Sequence, residues 1–150
     1  MTNRKLSNFA AHLPAARGLL PSAVQLGLRL GLGGVFWSSA RTKVEGVLTI
    51  SDSTLYLFAE EYRLPFLPPA FAAHLATYAE HLLPLLLAIG LGTRFAALGL
   101  FVMTGVIQLF VYPDALVSTH LGWMAMAAAV IVYGPGRFAL DARLLGGHRR

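Results

Sequence analysis

The chain has 150 residues, of which 56% are hydrophobic and only 13% are charged, whereas a soluble domain has roughly 25% charged residues. This composition excludes disorder, because a disordered chain needs low hydrophobicity. The sequence contains no cysteine, which excludes disulfides, thiolate metal sites and thiol redox chemistry. We therefore predict a small integral membrane protein that folds as a single domain over residues 1–150.

Four apolar stretches approach the length of about 20 helical residues that crosses a bilayer. The first carries the charge of Arg29, the second carries Glu80 and His81, and the third has Gln108 as its most polar residue. The fourth stretch is nearly all apolar but short. The pattern predicts an all-α fold, a transmembrane four-helix bundle, with spans at about residues 21–40, 71–92, 95–112 and 119–134.

The long segment between the first two spans carries a helix signal of its own. Residues 51–53, Ser-Asp-Ser, are N-cap residue types. Residues 54–62 follow and place Leu55, Phe58 and Tyr62 on one helical face. We expect a short helix that lies in the membrane interface or folds over the mouth of the bundle.

Basic residues are distributed unevenly between the two sides of the predicted bundle. Eight of the 12 lie on the side of the two termini, and three lie on the other side beside five acidic residues. By the positive-inside rule both termini face the cytoplasm, so we expect a multi-pass protein of the bacterial inner membrane with an extracytoplasmic long loop. No basic stripe is interleaved with aromatic residues, so we expect no nucleic-acid partner. The eight basic residues are Arg4, Lys5, Arg17, Arg94, Arg137, Arg143, Arg149 and Arg150.

Two charged residues fall well inside the predicted spans. A charge near the bilayer centre costs about 2.5–3.5 kcal/mol on insertion scales. Arg29 lies about nine residues from the inner end of its span and Glu80 about nine from the outer end of its own, so both reach a depth of about 14 Å. We therefore predict a buried Arg29–Glu80 pair, which either fixes the register of two helices or forms part of a proton or substrate path.

Polar and aromatic residues in the outer halves of the spans form a candidate ligand pocket. Two of them, His74 and His120, fall near the outer mouth and are a candidate metal pair, since neutral imidazole suits a transition metal such as copper. The alternative is that each histidine is simply hydrogen-bonded, and Gln108 is likewise either a cross-bundle hydrogen-bonding group or a ligand. The candidate pocket residues are Trp37, Lys43, His74, His81, Gln108 and His120.

Three short motifs follow one another along the chain. They are RLG at 29–31, continuing to TK at 42–43; AEHLL at 79–83, leading into AIGLGTRFAA at 88–97; and GPGRFALD at 134–141. In this order and spacing they resemble the DoxX family of small four-helix membrane proteins, over about residues 23–145. The sequence departs from the family pattern at Ala139, where serine is frequent, and at His81, where a small or apolar residue is common.

The resemblance implies a place near membrane redox chemistry. DoxX-like proteins are similar to a membrane subunit of thiosulfate:quinone oxidoreductase, and a subgroup with a similar loop (LYLF at 55–58) and third span (VIQL at 106–109) is found beside genes for copper-binding modified peptides. The first hypothesis is therefore an accessory subunit of a quinone-linked redox system, with a membrane redox partner protein.

Two other functions are compatible with the same residues. The protein could handle a metal or a small solute through the outer histidines, although four short helices would leave room for a wide pore only in a homo-oligomer. The remaining hypothesis is a scaffold without chemistry. Quinone and copper are the cofactors that these hypotheses name, and the lipid bilayer is a partner in all of them.

Overall fold

The computed structural model describes residues 3–146, with side chains for residues 18–144. Over this range the regular secondary structure is helical apart from one short antiparallel hairpin. The elements are α1 (Asn3–Arg41), β1 (Val44–Glu45), β2 (Thr49–Ile50), α2 (Asp52–Leu57), α3 (Pro69–Ile89), α4 (Thr93–Phe110), α5 (Leu121–Tyr133) and α6 (Leu140–Gly146). Some residues of the orientation prediction lie outside this description: the side chains of Arg4, Lys5 and Arg17, and all of Arg149 and Arg150.

Four helical segments within residues 3–146 are long and apolar enough to cross a membrane, which confirms the predicted four-helix bundle. The fourth is longer than predicted and reaches 21 residues. A 3₁₀ turn (Pro113–Ala115) and a π-helical turn (Leu116–His120) extend it ahead of α5. The four segments are Gly18–Arg41, Pro69–Ile89, Thr93–Phe110 and Pro113–Tyr133.

The core lies where the four long helices meet. Leu32, Leu87 and Leu100 are completely buried there. Large apolar side chains also cover the outside of the bundle, and Phe95 and Val117 are both 83% exposed. So much exposed apolar surface is typical of a protein whose surroundings are lipid.

The predicted loop helix is confirmed, and it folds over one end of the bundle. Ser51 is its N-cap, because the Ser51 hydroxyl accepts a hydrogen bond from the backbone N–H of Thr54. α2 widens after Leu57 into a π-helical turn, Phe58–Tyr62. The buried Phe58 packs on Ala72 and Ala73 in the first turns of α3.

Helices α1 and α3 are antiparallel and axially offset. Lys43, just after α1, contacts Glu80, whereas Arg29 contacts the carbonyl groups of Leu87 and Ala88. The 11 residues of α3 that precede Glu80 span about 16 Å at 1.5 Å per residue, and most of that length extends beyond the end of α1. We call the two ends of the bundle the Lys43 end and the Arg29 end.

Candidate ligand-binding site

A cavity of about 170 Å³ lies between the helices at the Lys43 end, and we call it the Lys43 cavity. Most of its lining is apolar or aromatic, and α1, α3, α4 and both π-helical turns contribute to it. The large apolar side chains on its walls include Phe36, Phe58, Met103, Ile107 and Trp123. Its polar side chains are those of Ser39, Lys43, Tyr62, Glu80, Tyr112 and His120.

A buried ion pair forms one wall of the Lys43 cavity. Lys43 Nζ lies 2.7 Å from Glu80 Oε2, and the two side chains are 10% and 4% exposed. The same ammonium group lies 2.7 Å from Ser39 Oγ and 3.3 Å from the Ser39 carbonyl oxygen. These three contacts occupy all three N–H donors of the lysine.

The backbone of Lys43 is fixed by the loop that follows it. Its carbonyl oxygen accepts hydrogen bonds from the Ser51 N–H (3.1 Å) and the Thr54 hydroxyl (3.0 Å). The hairpin pairs Val44 with Ile50 and brings Ser51 back beside Lys43. The sequence identifies Ser51 only as a helix cap and does not predict the hairpin.

His120 forms a second polar wall, and its hydrogen bonds define its tautomer. Gln108 Nε2 donates to the Pro113 carbonyl oxygen at 2.6 Å, so the amide oxygen of Gln108 faces His120 Nδ1, also at 2.6 Å. We therefore assign the proton of the neutral ring to Nδ1 and the lone pair to Nε2. The ring is 2% exposed and packs on Trp123 at a centroid distance of 5.3 Å.

Both π-helical turns of the described chain supply cavity residues. The turn Phe58–Tyr62 contributes Phe58 and Tyr62, and the turn Leu116–His120 contributes His120. The hydrogen-bonded turn of a π-helix contains one residue more than that of an α-helix, and such turns are frequent at functional sites. Hydropathy carries no signal for such a turn, so the sequence did not reveal these placements.

Two tyrosines lie together on the lining of the cavity. The hydroxyl oxygens of Tyr62 and Tyr112 are 3.4 Å apart, and their rings meet edge to face at 5.8 Å. Burial and the hydrogen bond with Tyr112 raise the pKa of Tyr62 above its ordinary value. Tyr62 therefore presents a protonated hydroxyl throughout the physiological pH range.

The predicted Arg29–Glu80 pair is wrong. The fully buried Arg29 donates instead to the carbonyl oxygens of Leu87 (2.7 Å), Ala88 (2.9 Å) and Pro135 (2.9 Å). The prediction placed the start of the second span level with the end of the first, but α3 begins beyond the end of α1. Arg29 consequently meets the C-terminal turn of α3, where free carbonyl groups and the helix dipole favour a cation.

Asp141 caps the next helix at the same end of the bundle. Its carboxylate accepts hydrogen bonds from the N–H groups of Gly92 and Thr93, both at 2.8 Å, at the start of α4. Burial raises the pKa of Asp141, but the hydrogen bonds from Thr93 and Gly92 and the charge of Arg29 outweigh it, so the pKa lies below its ordinary value. Residues of the AIGLGTRFAA and GPGRFALD motifs therefore contact one another and stabilise the α3–α4 turn.

His74 and His120 are not brought together. His74 is exposed on α3, where Nδ1 lies 2.7 Å from the Ala70 carbonyl oxygen, whereas His120 is buried. The physical reason is the helical face that His74 occupies, because His74 is exposed whereas its neighbours Ala73 and Thr77 are buried in the bundle. Within the described residues no group of three or more histidine, aspartate or glutamate side chains is arranged to hold a metal ion.

Trp37 and His81 lie outside the Lys43 cavity. They pack edge to face at 5.3 Å and line a separate groove between α1 and α3. His81 Nδ1 lies 2.7 Å from the Thr77 carbonyl oxygen, and its buried Nε2 has no hydrogen-bond partner among the described residues. Of the six predicted pocket residues, Lys43 and His120 therefore line the cavity and Gln108 orients His120.

A model of one protein family, DoxX, matches residues 24–113, which is 90 of the 150 residues. The chain belongs to the DoxX family. None of the curated proteins or solved structures compared with it gives a significant match. In this DoxX protein the matched region contains the Lys43–Glu80 pair and Gln108, and it ends before His120 and Asp141.

Proposed function

We propose that this DoxX protein is a membrane subunit of a quinone-linked redox system and that the Lys43 cavity binds the six-membered ring of a quinone-type lipid. The size of the cavity supports this ligand class. An apolar protein cavity of about 150 Å³ binds benzene, and the Lys43 cavity measures about 170 Å³. One substituted six-membered ring therefore suits the space.

The lining supports the same ligand class. Phe36, Phe58 and Trp123 offer aromatic walls to a flat ring, while Glu80 and His120 supply polar atoms for its oxygen substituents. A few polar groups in an otherwise apolar pocket are typical of sites for small organic cofactors. When bound, a quinone would supply reversible electron and proton transfer, and the protein would hold the ring and exclude water.

The alternative of a metal site has less support, because His74 and His120 lie apart and the described residues offer no cluster of ligands. A scaffold without chemistry would leave the Lys43 cavity and its polar lining unexplained. The Lys43 cavity is therefore the observation on which the quinone proposal depends.

The experiment measures quinone in the protein purified from membranes in mild detergent. Lipid extraction and chromatography should recover quinone, and a short-chain benzoquinone should saturably quench the fluorescence of Trp123. Only two tryptophans are present, so a Trp37→Phe background leaves Trp123 as the sole reporter. Absence of extractable quinone together with absence of saturable quenching would refute the proposal.

A matched pair of variants on α4 localises the binding. Val106 lines the cavity, whereas Val102, one turn earlier, is 57% exposed on the outside of the bundle. Val106→Phe should fill the cavity and weaken benzoquinone binding by about tenfold or more, while Val102→Phe should leave it unchanged. Thermal melting in detergent controls for the ~1–3 kcal/mol that overpacking can cost. Equal binding by both variants would place the ligand elsewhere.

A further inference from the structure

We infer that the Lys43 cavity selects the reduced, hydroxyl-bearing form of its ring ligand, a benzoquinol, over the oxidised benzoquinone. This inference rests on the proposed function and adds the redox state of the bound ligand. It follows from which hydrogen-bonding atoms of the cavity already have a partner in the protein and which do not.

The ammonium group of Lys43, the strongest hydrogen-bond donor in the cavity, has no free N–H group for a ligand. Lys43 carries three N–H groups. They face Glu80 Oε2, Ser39 Oγ and the Ser39 carbonyl oxygen at 2.7, 2.7 and 3.3 Å. A quinone carbonyl would have to displace one of these contacts in order to accept a hydrogen bond from Lys43.

The polar atoms of Glu80 and His120 that remain free are hydrogen-bond acceptors. Glu80 uses Oε2 for Lys43, and its Oε1 takes part in no hydrogen bond among residues 18–144. His120 uses Nδ1–H for Gln108, and its Nε2 lone pair takes part in no hydrogen bond in the same range. Both residues line the cavity.

Gln108 keeps His120 in this state. Its Nε2 donates to the Pro113 carbonyl oxygen at 2.6 Å, which turns Oε1 toward His120 and requires the ring proton on Nδ1. A flipped amide would lose the bond to Pro113 and place two acceptors, Gln108 Oε1 and the Pro113 carbonyl oxygen, against each other. Gln108 is therefore a positioning residue, because it acts on the ligand only through His120.

Two free acceptors discriminate between the redox forms of the ligand. A benzoquinol carries hydroxyl groups at opposite ends of its ring, and each can donate to an acceptor. A benzoquinone presents only carbonyl oxygens, so Glu80 Oε1 and His120 Nε2 would stay without a donor beside it. Sites built to bind a hydroxyl reject analogues that lack it for this reason. The hydroxyls of Tyr62 and Tyr112 donate as well as accept and do not discriminate.

The test compares three ligands by anaerobic titration calorimetry with the full-length protein in detergent. The probes are a short-chain benzoquinol, its dimethyl ether and the matching benzoquinone. All three have a six-membered ring with two oxygen substituents, and only the quinol carries hydroxyl hydrogens. We expect the quinol to bind at least about tenfold more tightly than either other probe, as one to two hydrogen bonds to buried acceptors would give.

Two variants assign the preference to residues. His120→Phe keeps a ring but removes the acceptor, and it should weaken quinol binding by about fivefold or more while the affinity for the dimethyl ether changes less than twofold. Gln108→Leu leaves His120 in place and should lower the quinol preference by about threefold or more, because the ring proton is no longer confined to Nδ1. Ser118→Ala, an exposed change on the same π-helical turn, is the matched control.

The outcomes separate this inference from the proposed function. If none of the three probes binds, both the inferred quinol preference and the proposed function are wrong. If the quinone or the ether binds as tightly as the quinol, the redox preference is wrong and the proposed function stands. A preference that survives unchanged in Gln108→Leu and His120→Phe, with melting curves showing folded protein, overturns the role of His120. If His120→Phe does not fold, Gln108→Leu decides.

Discussion

The ammonium group of Lys43 lies 2.7 Å from the carboxylate of Glu80, although 37 residues separate the two positions and both side chains are almost fully buried. The pair joins the end of α1 to the middle of α3 at the level of the cavity. A buried pair of this kind is costly to break from one side, because the remaining charge has no partner. It links the stability of the fold to the proposed ligand site.

Breaking the Lys43–Glu80 pair from either side should destabilise the protein strongly. We expect Lys43→Met or Glu80→Leu alone to cost about 3–5 kcal/mol, and the double variant to recover much of that loss because it leaves no charge unpaired. The measurement is a double-mutant cycle of unfolding in detergent. The exposed Arg63–Glu60 pair is the control, and Arg63→Ala should cost less than about 1 kcal/mol. Strictly additive losses at Lys43 and Glu80 would contradict the expectation.

Arg29→Leu should destabilise the fold independently of Glu80. Three carbonyl groups lose their donor in this variant, and each unpaired buried group costs about 1–3 kcal/mol. Combining Arg29→Leu with Glu80→Leu should give additive losses to within about 0.5 kcal/mol, because the two residues share no contact. Rescue of Arg29→Leu by the second change would instead support the direct pair predicted from the sequence.

The cap at Asp141 should make stability depend on pH in the acid range. Its pKa is lowered in the folded state, so its contribution is full above the ordinary carboxyl value of about 3.9 and disappears as the pH falls through the lower folded value. Asp141→Asn should therefore cost about 1–2 kcal/mol at pH 7 and progressively less in acid. Thermal melting against pH, with the exposed Asp114→Asn as control, tests this. A pH-independent difference would argue against a charged cap.

The two glycines of the α3–α4 turn should respond very differently to alanine. Both have positive φ, +75° at Gly90 and +56° at Gly92, a conformation that costs other residues about 1–2 kcal/mol. A Cβ atom at Gly90 would also lie 2.5 Å from the Cβ of Ala139, whereas at Gly92 it would meet nothing within 4 Å. Gly90→Ala should prevent accumulation of folded protein, while Gly92→Ala should lower stability by only about 1–2 kcal/mol. Similar yields of the two variants would refute the close approach.

The orientation of the bundle can be read by cysteine labelling, since the chain has no cysteine of its own. Ser53 and Arg143 are both exposed, at the Lys43 end and the Arg29 end respectively. With both termini cytoplasmic, an impermeant thiol reagent that crosses only the outer membrane should label Ser53→Cys. It should label Arg143→Cys only after the inner membrane is opened. The reverse pattern would invert the predicted topology.

The sequence by itself determined the features that depend on local composition. Long apolar stretches are sufficient to predict four spans, because each backbone polar group inside a bilayer must be satisfied within its own helix. Ser51 predicted the loop helix, because a hydroxyl that caps a free N–H group acts within one turn. The ordered motifs around Lys43, Glu80 and Gly90 likewise predicted the DoxX family that the comparison confirms.

Only the tertiary structure decided which charges meet. The predicted partner of Glu80 was Arg29, but the packing of Phe58 on Ala72 and Ala73 accompanies an offset of α3 that brings Lys43 to Glu80 and leaves Arg29 beside Leu87. Glu80 and Leu87 are seven residues apart, about 10 Å along a helix. Hydropathy is nearly unchanged by such a shift, because it measures each helix alone and not the axial offset between helices. The carboxylate of Glu80 therefore stands at the cavity, paired with Lys43, rather than beside the arginine that the sequence suggested.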